Sequence, residues 1–202
     1  MSGLRELKRN RTHRAISDAA IALFLSRGFA EVTVTDVARA AEVSRRTLFA
    51  YFPAKEDLVL HRLADHQDEP ARVVRNRAPG TSPLAALRGH FLAALRAGDA
   101  VTGISDEPEV GRVYELIINT PALADGLVRY STRAEAALAE AMAESDDDPL
   151  RPPLAAAAII AVQRALSQAN QRAIAAGQRA QTRLPAAIEA AERAFTLLQQ
   201  GF

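Results

Sequence analysis

Apolar positions recur along most of this chain at three- and four-residue spacings, and no stretch alternates convincingly as a half-buried strand would. Ile16, Ala20, Leu23 and Phe24 share one face of a first helix expected over about residues 7–27, with Gly28 as its stop. The polar, basic residues 1–10 before that face read as a mobile arm. Val37, Ala38 and Ala41 form the small apolar face of a second helix, capped by Thr33 through a bond from a backbone N–H near Asp36. Ser44 caps a third helix, on which Leu48 and Phe52 point inward. A fourth begins near Ala54 behind Pro53, with Val59, Leu60 and Leu63 inward and His61, Arg62 and Asp65 outward, and Pro70 is expected to end or kink it.

Residues 71–83, ARVVRNRAPGTSP, read as a connector closing in an Ala-Pro-Gly turn. Further helical periods follow at 84–97, 107–119, 121–144, 153–178 and 184–200, with ESDDDPLRPP as a loop between the third and fourth of these. The chain is therefore expected to be all-α, with nine helices. Three segments are expected: a three-helix head over 1–53, a connecting helix and linker over 54–82, and a larger helical domain over 83–202.

Composition narrows this picture. Hydrophobic residues make up 49% of the chain and aromatics only 5%, which favours packed helices rich in alanine. Without cysteine there is neither a disulfide framework nor a thiolate metal site. No apolar run is long enough to span a membrane and no secretory h-region opens the chain, so a cytoplasmic protein with no membrane partner is expected. The net charge of +1 says little, but its distribution says more. Residues 1–62 carry 11 Lys and Arg against 7 Asp and Glu, whereas the rest carries 14 against 17. The basic end coincides with the second and third helices.

Those two helices, TVTDVARAAEVSRRTLFAYFPAK over residues 33–55, have the form of a helix–turn–helix. In such a motif the second helix enters the DNA major groove and its first residues face base edges. Arg45, Arg46 and Thr47 are the base-reading candidates, since a guanidinium can bond guanine O6 and N7 together. Thr33, Thr35, Ser44, Tyr51 and Lys55 are placed to hold phosphates, with Thr12 and Arg14 at the start of the first helix as additions. For Thr33 and Ser44 a cap alone is the plainer role, and for the two arginines a solvated face.

The block resembles the DNA-binding domain of the tetracycline-repressor (TetR) family of bacterial regulators. The preceding ISDAAIALFLSRGFAEVTV resembles that family's first helix, its glycine stop and the entry to helix two. Glu42 departs from the pattern, because the family usually has glycine in that turn, and local strain or a slightly different turn is expected. The resemblance implies nine helices, a homodimer on a palindromic double-stranded operator, and a small effector that shifts the spacing of two DNA-reading heads through helix four. Repression is the family's default. LRGHFLAALRAGD and ELIINTPALADGLVRYSTRAEAALAEAMAE also resemble members with an acyl-CoA-type ligand domain, which implies an acyl-CoA or another lipophilic effector.

In the C-terminal part, Arg88 falls on the face of Leu84, Leu87, Phe91 and Leu95, and a guanidinium there needs an anion. That anion is Glu107 or Glu115, or a ligand carboxylate or phosphate, unless the side chain snorkels to the edge. Gln163, Ser167 and Asn170 lie beside the apolar face of the 153–178 helix and could line a ligand cavity or bond across a dimer interface. Tyr114 and Tyr130 are further ligand donors or core tyrosines. Ile160, Ile188, Ala191, Phe195 and Leu198 are candidates for a four-helix interface with a second copy.

Two rival classes remain. For an enzyme there is no cysteine nucleophile, Gly-rich phosphate loop or G-x-S-x-G elbow, and no cofactor is implied. His61 and His66, five apart, are poorly spaced for one metal. A helical adaptor without sequence-specific DNA binding is the alternative, and it leaves Arg45, Arg46 and Thr47 behind a serine cap unexplained.

Overall fold

The computed structural model describes residues 2–64 and 66–201, the side chains of 2–6 and 64 excepted, so Met1, Asp65 and Phe202 lie outside the described residues. Among the described residues ten α-helices follow one another: α1 (Ser2–Arg27), α2 (Val34–Ala40), α3 (Arg45–Tyr51), α4 (Asp57–Ala64), α5 (Glu69–Arg75), α6 (Pro83–Ala97), α7 (Pro108–Asn119), α8 (Pro121–Ala143), α9 (Arg151–Ala175) and α10 (Ala180–Gly201). A short 3-10 turn, Ala100–Thr102, precedes α7. No strand occurs among the described residues.

Two expectations about the elements need correction. The tenth helix is α5, which occupies most of the expected connector and buries Ala71 and Val74. Pro70 lies in the first turn of this helix, one residue after its start, instead of breaking the helix before it, because there its missing N–H would be unpaired anyway. Residues 2–10 are helical and not a separate arm. After Gly3 they contain no helix breaker, and leucine, arginine, lysine and glutamate all favour helix.

The chain divides into two compact units, Met1–Arg62 with Arg112–Leu127, and Leu63–Gly111 with Val128–Phe202. In the first, Ile16, Ala20, Ile21 and Phe24 of α1 are buried, as are Val37 and Ala38 of α2, Leu48 of α3, Phe52, and Leu58 and Val59 of α4. The buried Ser17 hydroxyl donates to the Leu58 carbonyl at 3.0 Å, so α1 and α4 are joined by a polar bond inside an apolar core. Burial of this kind holds short helices that propensity alone could not.

In the second unit α6 packs on α10, and α10 on α9. Leu87, Phe91, Leu95, Leu138, Ile159, Ala191 and Phe195 belong to one continuous apolar core. The Phe91 and Phe195 rings lie 6.0 Å apart, a tilted pair within the range of favourable aromatic contact. Ser82 caps α6 by accepting from the Ala85 N–H, with Pro83 in its first turn.

Candidate nucleic-acid interface

The turn between α2 and α3 is built from side chains adjacent in sequence. Thr33 accepts from the Asp36 N–H at 3.1 Å, and the Asp36 carboxylate accepts from the Thr33 N–H at 3.0 Å, a complete capping box. The Thr33 hydroxyl also donates to that carboxylate at 2.6 Å. These bonds favour the ionised form and hold the Asp36 carboxyl below its ordinary range. The group therefore supports the fold above about pH 4, and that support is lost as pH falls through the lowered folded value.

α2 ends where Glu42 takes φ +55°, the left-handed region that favours glycine. The Val43 N–H bonds the Ala38 carbonyl at 2.9 Å and the Glu42 N–H bonds the Arg39 carbonyl at 3.2 Å. This is the paired bonding of a glycine-type helix stop, made here with a glutamate. The expected strain at Glu42 is thus present, and the motif survives it.

Ser44 then starts α3, its hydroxyl accepting from the Thr47 N–H at 3.0 Å and bonding the Thr47 hydroxyl at 2.7 Å. Leu48 and Phe52 are each 1% exposed and anchor the helix. Arg45 and Arg46 are exposed, and neither has a hydrogen-bond or ion-pair partner among the described residues. Thr35 is also exposed, while Thr12, Thr47 and Tyr51 are half-buried. The His13 ring of α1 stacks on Phe52 at 4.3 Å, meets the His61 ring edge-on at 4.6 Å and lies 6.2 Å from Tyr51. This brings α1, the end of α3 and α4 together around one aromatic cluster. His61, expected on the outward face, is therefore half-buried in that cluster.

Lys55 is placed differently from the expected phosphate contact. Its ammonium donates to the Phe29 carbonyl and lies 4.3 Å from the Phe29 ring centroid and 5.6 Å from that of Phe24. Partial burial disfavours its charge and lowers its pKa. The side chain fastens the turn after α1 to the start of α4.

The C-terminal candidates are occupied by the protein itself. Arg88 is exposed, not buried, and its guanidinium pairs with Glu192 of α10, with Nε to the carboxylate at 2.7 Å. It rests at the edge of the apolar face, and neither Glu107 nor Glu115 is its partner. Ser167 donates to the Val101 carbonyl at 3.0 Å and the buried Asn170 donates to the Thr102 carbonyl at 2.9 Å. Arg183 in turn donates to the Asn170 side-chain oxygen at 3.0 Å. Both polar side chains therefore hold the 3-10 turn against α9. Gln163, Tyr114 and Tyr130 are half-buried, Tyr114 in the first unit and Tyr130 in the second, and Phe91 is core.

An open cleft of about 410 Å³, lined by residues that include Asp106, Ile174 and Arg179, contains none of these candidates. Ile160, Ala191, Phe195 and Leu198, expected at a dimer interface, are buried in the chain's own core, and Ile188 is half-buried against it. No group of three potential metal ligands occurs among the described residues, and none of their helices is long and apolar enough to cross a membrane.

Two short capped helices joined by a tight turn, with unpaired arginines at the start of the second, define a helix–turn–helix DNA-binding protein. Residues 16–61 match the family model described as "Bacterial regulatory proteins, tetR family". Over 171 residues the chain is 32% identical to the HTH-type transcriptional regulator TcmR of Streptomyces glaucescens, covering 82% of this chain and 76% of that protein. The chain belongs to the tetR family of bacterial regulatory proteins and is a ligand-responsive DNA-binding transcriptional regulator, not an enzyme. It is also 36% identical over 130 residues to the HTH-type transcriptional repressor LfrR of Mycolicibacterium smegmatis, across 61% of this chain and 67% of that one. Its fold is similar to that of SmeT in a complex with triclosan, with a TM-score of 0.60 and 16% identity over 95% of this chain and 91% of that chain. Regulators of this family bind DNA operators, act as dimers and bind small-molecule effectors.

Phe49 of α3 escaped the sequence reading. Leu48 and Phe52, four apart and inward, put residue 49 on the outward side of a helix, and that spacing was the available signal.

Proposed function

We propose that this chain acts in the cytoplasm as a dimeric repressor that reads a palindromic operator through α3 and leaves it when a small organic effector occupies the second unit. The exposed, unpaired Arg45 and Arg46 carry this reading. Their guanidinia suit guanine edges, and Thr47 stands beside them with its hydroxyl held by Ser44. Thr12, Thr33, Thr35, Ser44 and Tyr51 are the proposed phosphate-side residues, and the two caps combine that role with their structural one. Lys55 supports the site by holding the head together. Exposed Leu154 of α9 and Leu197 of α10 are the apolar groups offered to a second copy.

For the effector, Phe91, Tyr130 and Gln163 of the second unit are the proposed lining. An acyl-CoA would have to displace Glu192 to use Arg88, and to free Ser167 or Asn170 it would have to undo the 3-10 turn. A neutral lipophilic molecule faces neither cost, and the similarity to a protein solved with triclosan favours that class. The test is a fluorescence-anisotropy titration of duplex from the chain's own upstream region, with and without Arg46→Ala. Saturable binding that Arg46→Ala reduces to the level of random duplex supports the reading. Equal binding by both proteins overturns it. A thermal-shift comparison of acyl-CoAs with neutral lipophiles separates the two effector classes.

A further inference from the structure

Of the 25 lysine and arginine side chains in this protein, only those at Lys8 and Lys55 are lysines. The two stand in different surroundings. Lys8 is exposed near the start of α1, whereas Lys55, just before α4, is half-buried in the first unit. The Lys55 nitrogen donates to the Phe29 carbonyl and lies against the rings of Phe29 and Phe24. Burial there lowers its pKa by more than the nearby Glu56 and Glu31 raise it. A larger share of this amine is therefore neutral at a given pH than in water, and the neutral form carries the lone pair that attacks carbon. The Phe29 carbonyl accepts one N–H and fixes the amine in place, which leaves that lone pair unused. Residues 1–62 carry 11 Lys and Arg against 7 Asp and Glu, a balance that draws in small anions.

We infer that Lys55 is a modification site that takes an acyl group from an activated acyl donor, and that its acylation loosens the head. The donors are anionic acyl thioesters or acyl phosphates, which share a carbonyl carbon bearing a good leaving group. The Lys55 nitrogen attacks that carbon and a C–N bond forms. The bond from carbon to sulfur or to the phosphate oxygen breaks, the leaving group keeps its electron pair, and the amine gives one proton to water. The product is a neutral amide, which has lost the attraction of a cation for the Phe29 and Phe24 rings. Its acyl group also has to find room beside Phe24, which is 1% exposed. Both changes release the fastening between the turn after α1 and the start of α4. Phe52, the inward residue at the end of α3, stands three residues before Lys55, so α3 loses part of its support. The consequence for DNA rests on the reading of α3 as the major-groove helix.

The experiment uses the full chain. It is incubated at neutral pH with acetyl phosphate in one arm and acetyl-CoA in the other, and both lysines are followed by peptide mass spectrometry. Lys55 should be acetylated at least about threefold faster than the exposed Lys8, because free amine increases as the pKa falls, and the arm that reacts identifies the donor. Lys55→Arg keeps a cation that these donors do not acylate, and Lys8→Arg removes the other target. After treatment the melting temperature should fall in the natural chain and in Lys8→Arg. Their affinity for duplex from the chain's own upstream region should drop roughly threefold or more, and both quantities should hold in Lys55→Arg.

Reaction at Lys55 no faster than at Lys8 in both arms overturns the assignment, whatever Lys55→Arg does to folding. Acetylation of Lys55 that leaves melting temperature and DNA affinity unchanged overturns it equally. If acetylation lowers the melting temperature while the untreated chain and Arg46→Ala bind every duplex alike, Lys55 stands as a modification site and the reading of α3 fails.

Discussion

The two units use the same residue types to opposite ends. In the first, Arg45 and Arg46 stand exposed with no partner, while the polar bonds around them are local caps. In the second, three conspicuous polar residues on otherwise apolar helices are engaged: Arg88 with Glu192, Ser167 with Val101, and Asn170 with Thr102 and Arg183. An arginine or asparagine at a conspicuous position thus signals recognition only when the protein has not already bonded it. The head offers unsatisfied groups to a partner, and the second unit satisfies its groups to hold its own turn in place.

The severest disruption of the second unit should come from Gly103→Ala. A Cβ at Gly103 would lie 2.1 Å from the Ser167 carbonyl oxygen, at a backbone φ of +74°. The obstacle is backbone, so the turn must leave α9, at a cost of about 3 kcal/mol or more. A urea midpoint unchanged from the natural chain would show that the turn is not pinned. In the head, Arg46→Ala should cost about 1–3 kcal/mol in specific DNA binding while leaving the melting temperature unchanged. A fall in melting temperature would erase the contrast between the units, because it would make Arg46 structural.

Asn170→Ala leaves the Thr102 carbonyl and the Arg183 guanidinium without their partner, and about 1–3 kcal/mol of stability should go with it. The helix stop at Glu42 should respond in the other direction. Glu42→Gly relieves a left-handed residue at the cost of a more flexible unfolded chain, for a net gain of about 0.5–1 kcal/mol by chemical denaturation. The smallest effect belongs to Arg88→Ala. Its ion pair is half-exposed, so only a few tenths of a kcal/mol should be lost, and less in high salt.

How far each region could be read in advance follows from the reach of its bonds. The caps at Thr33 and Ser44 and the inward pair Leu48 and Phe52 involve neighbours within a few residues, so spacing alone revealed them. Glu42 was legible for the same reason. Pro70 was misread because proline both ends helices and begins them, and only the burial of Ala71 and Val74 decides between these roles. Asn170 and Thr102 are 68 residues apart in the chain, and Arg88 and Glu192 are 104 apart. No local pattern announces such partners. Lys55 reaches back 26 residues to Phe29, and its chemistry is the same whether it meets a carbonyl or a phosphate.

α3 is seven residues long, well short of the roughly 12–15 that a helix needs to persist alone in water. Its shape is therefore on loan from its neighbours, through Leu48, Phe52 and the stacked His13. Vocabulary and voice are separate properties of such a reader. On the proposed reading, exchanging Arg45 or Arg46 would rewrite which bases are recognised, whereas exchanging His13 or Phe52 would silence recognition of every sequence at once. Evolution or an engineer can then retarget this head one outward side chain at a time, provided the inward half of the same two turns is left alone.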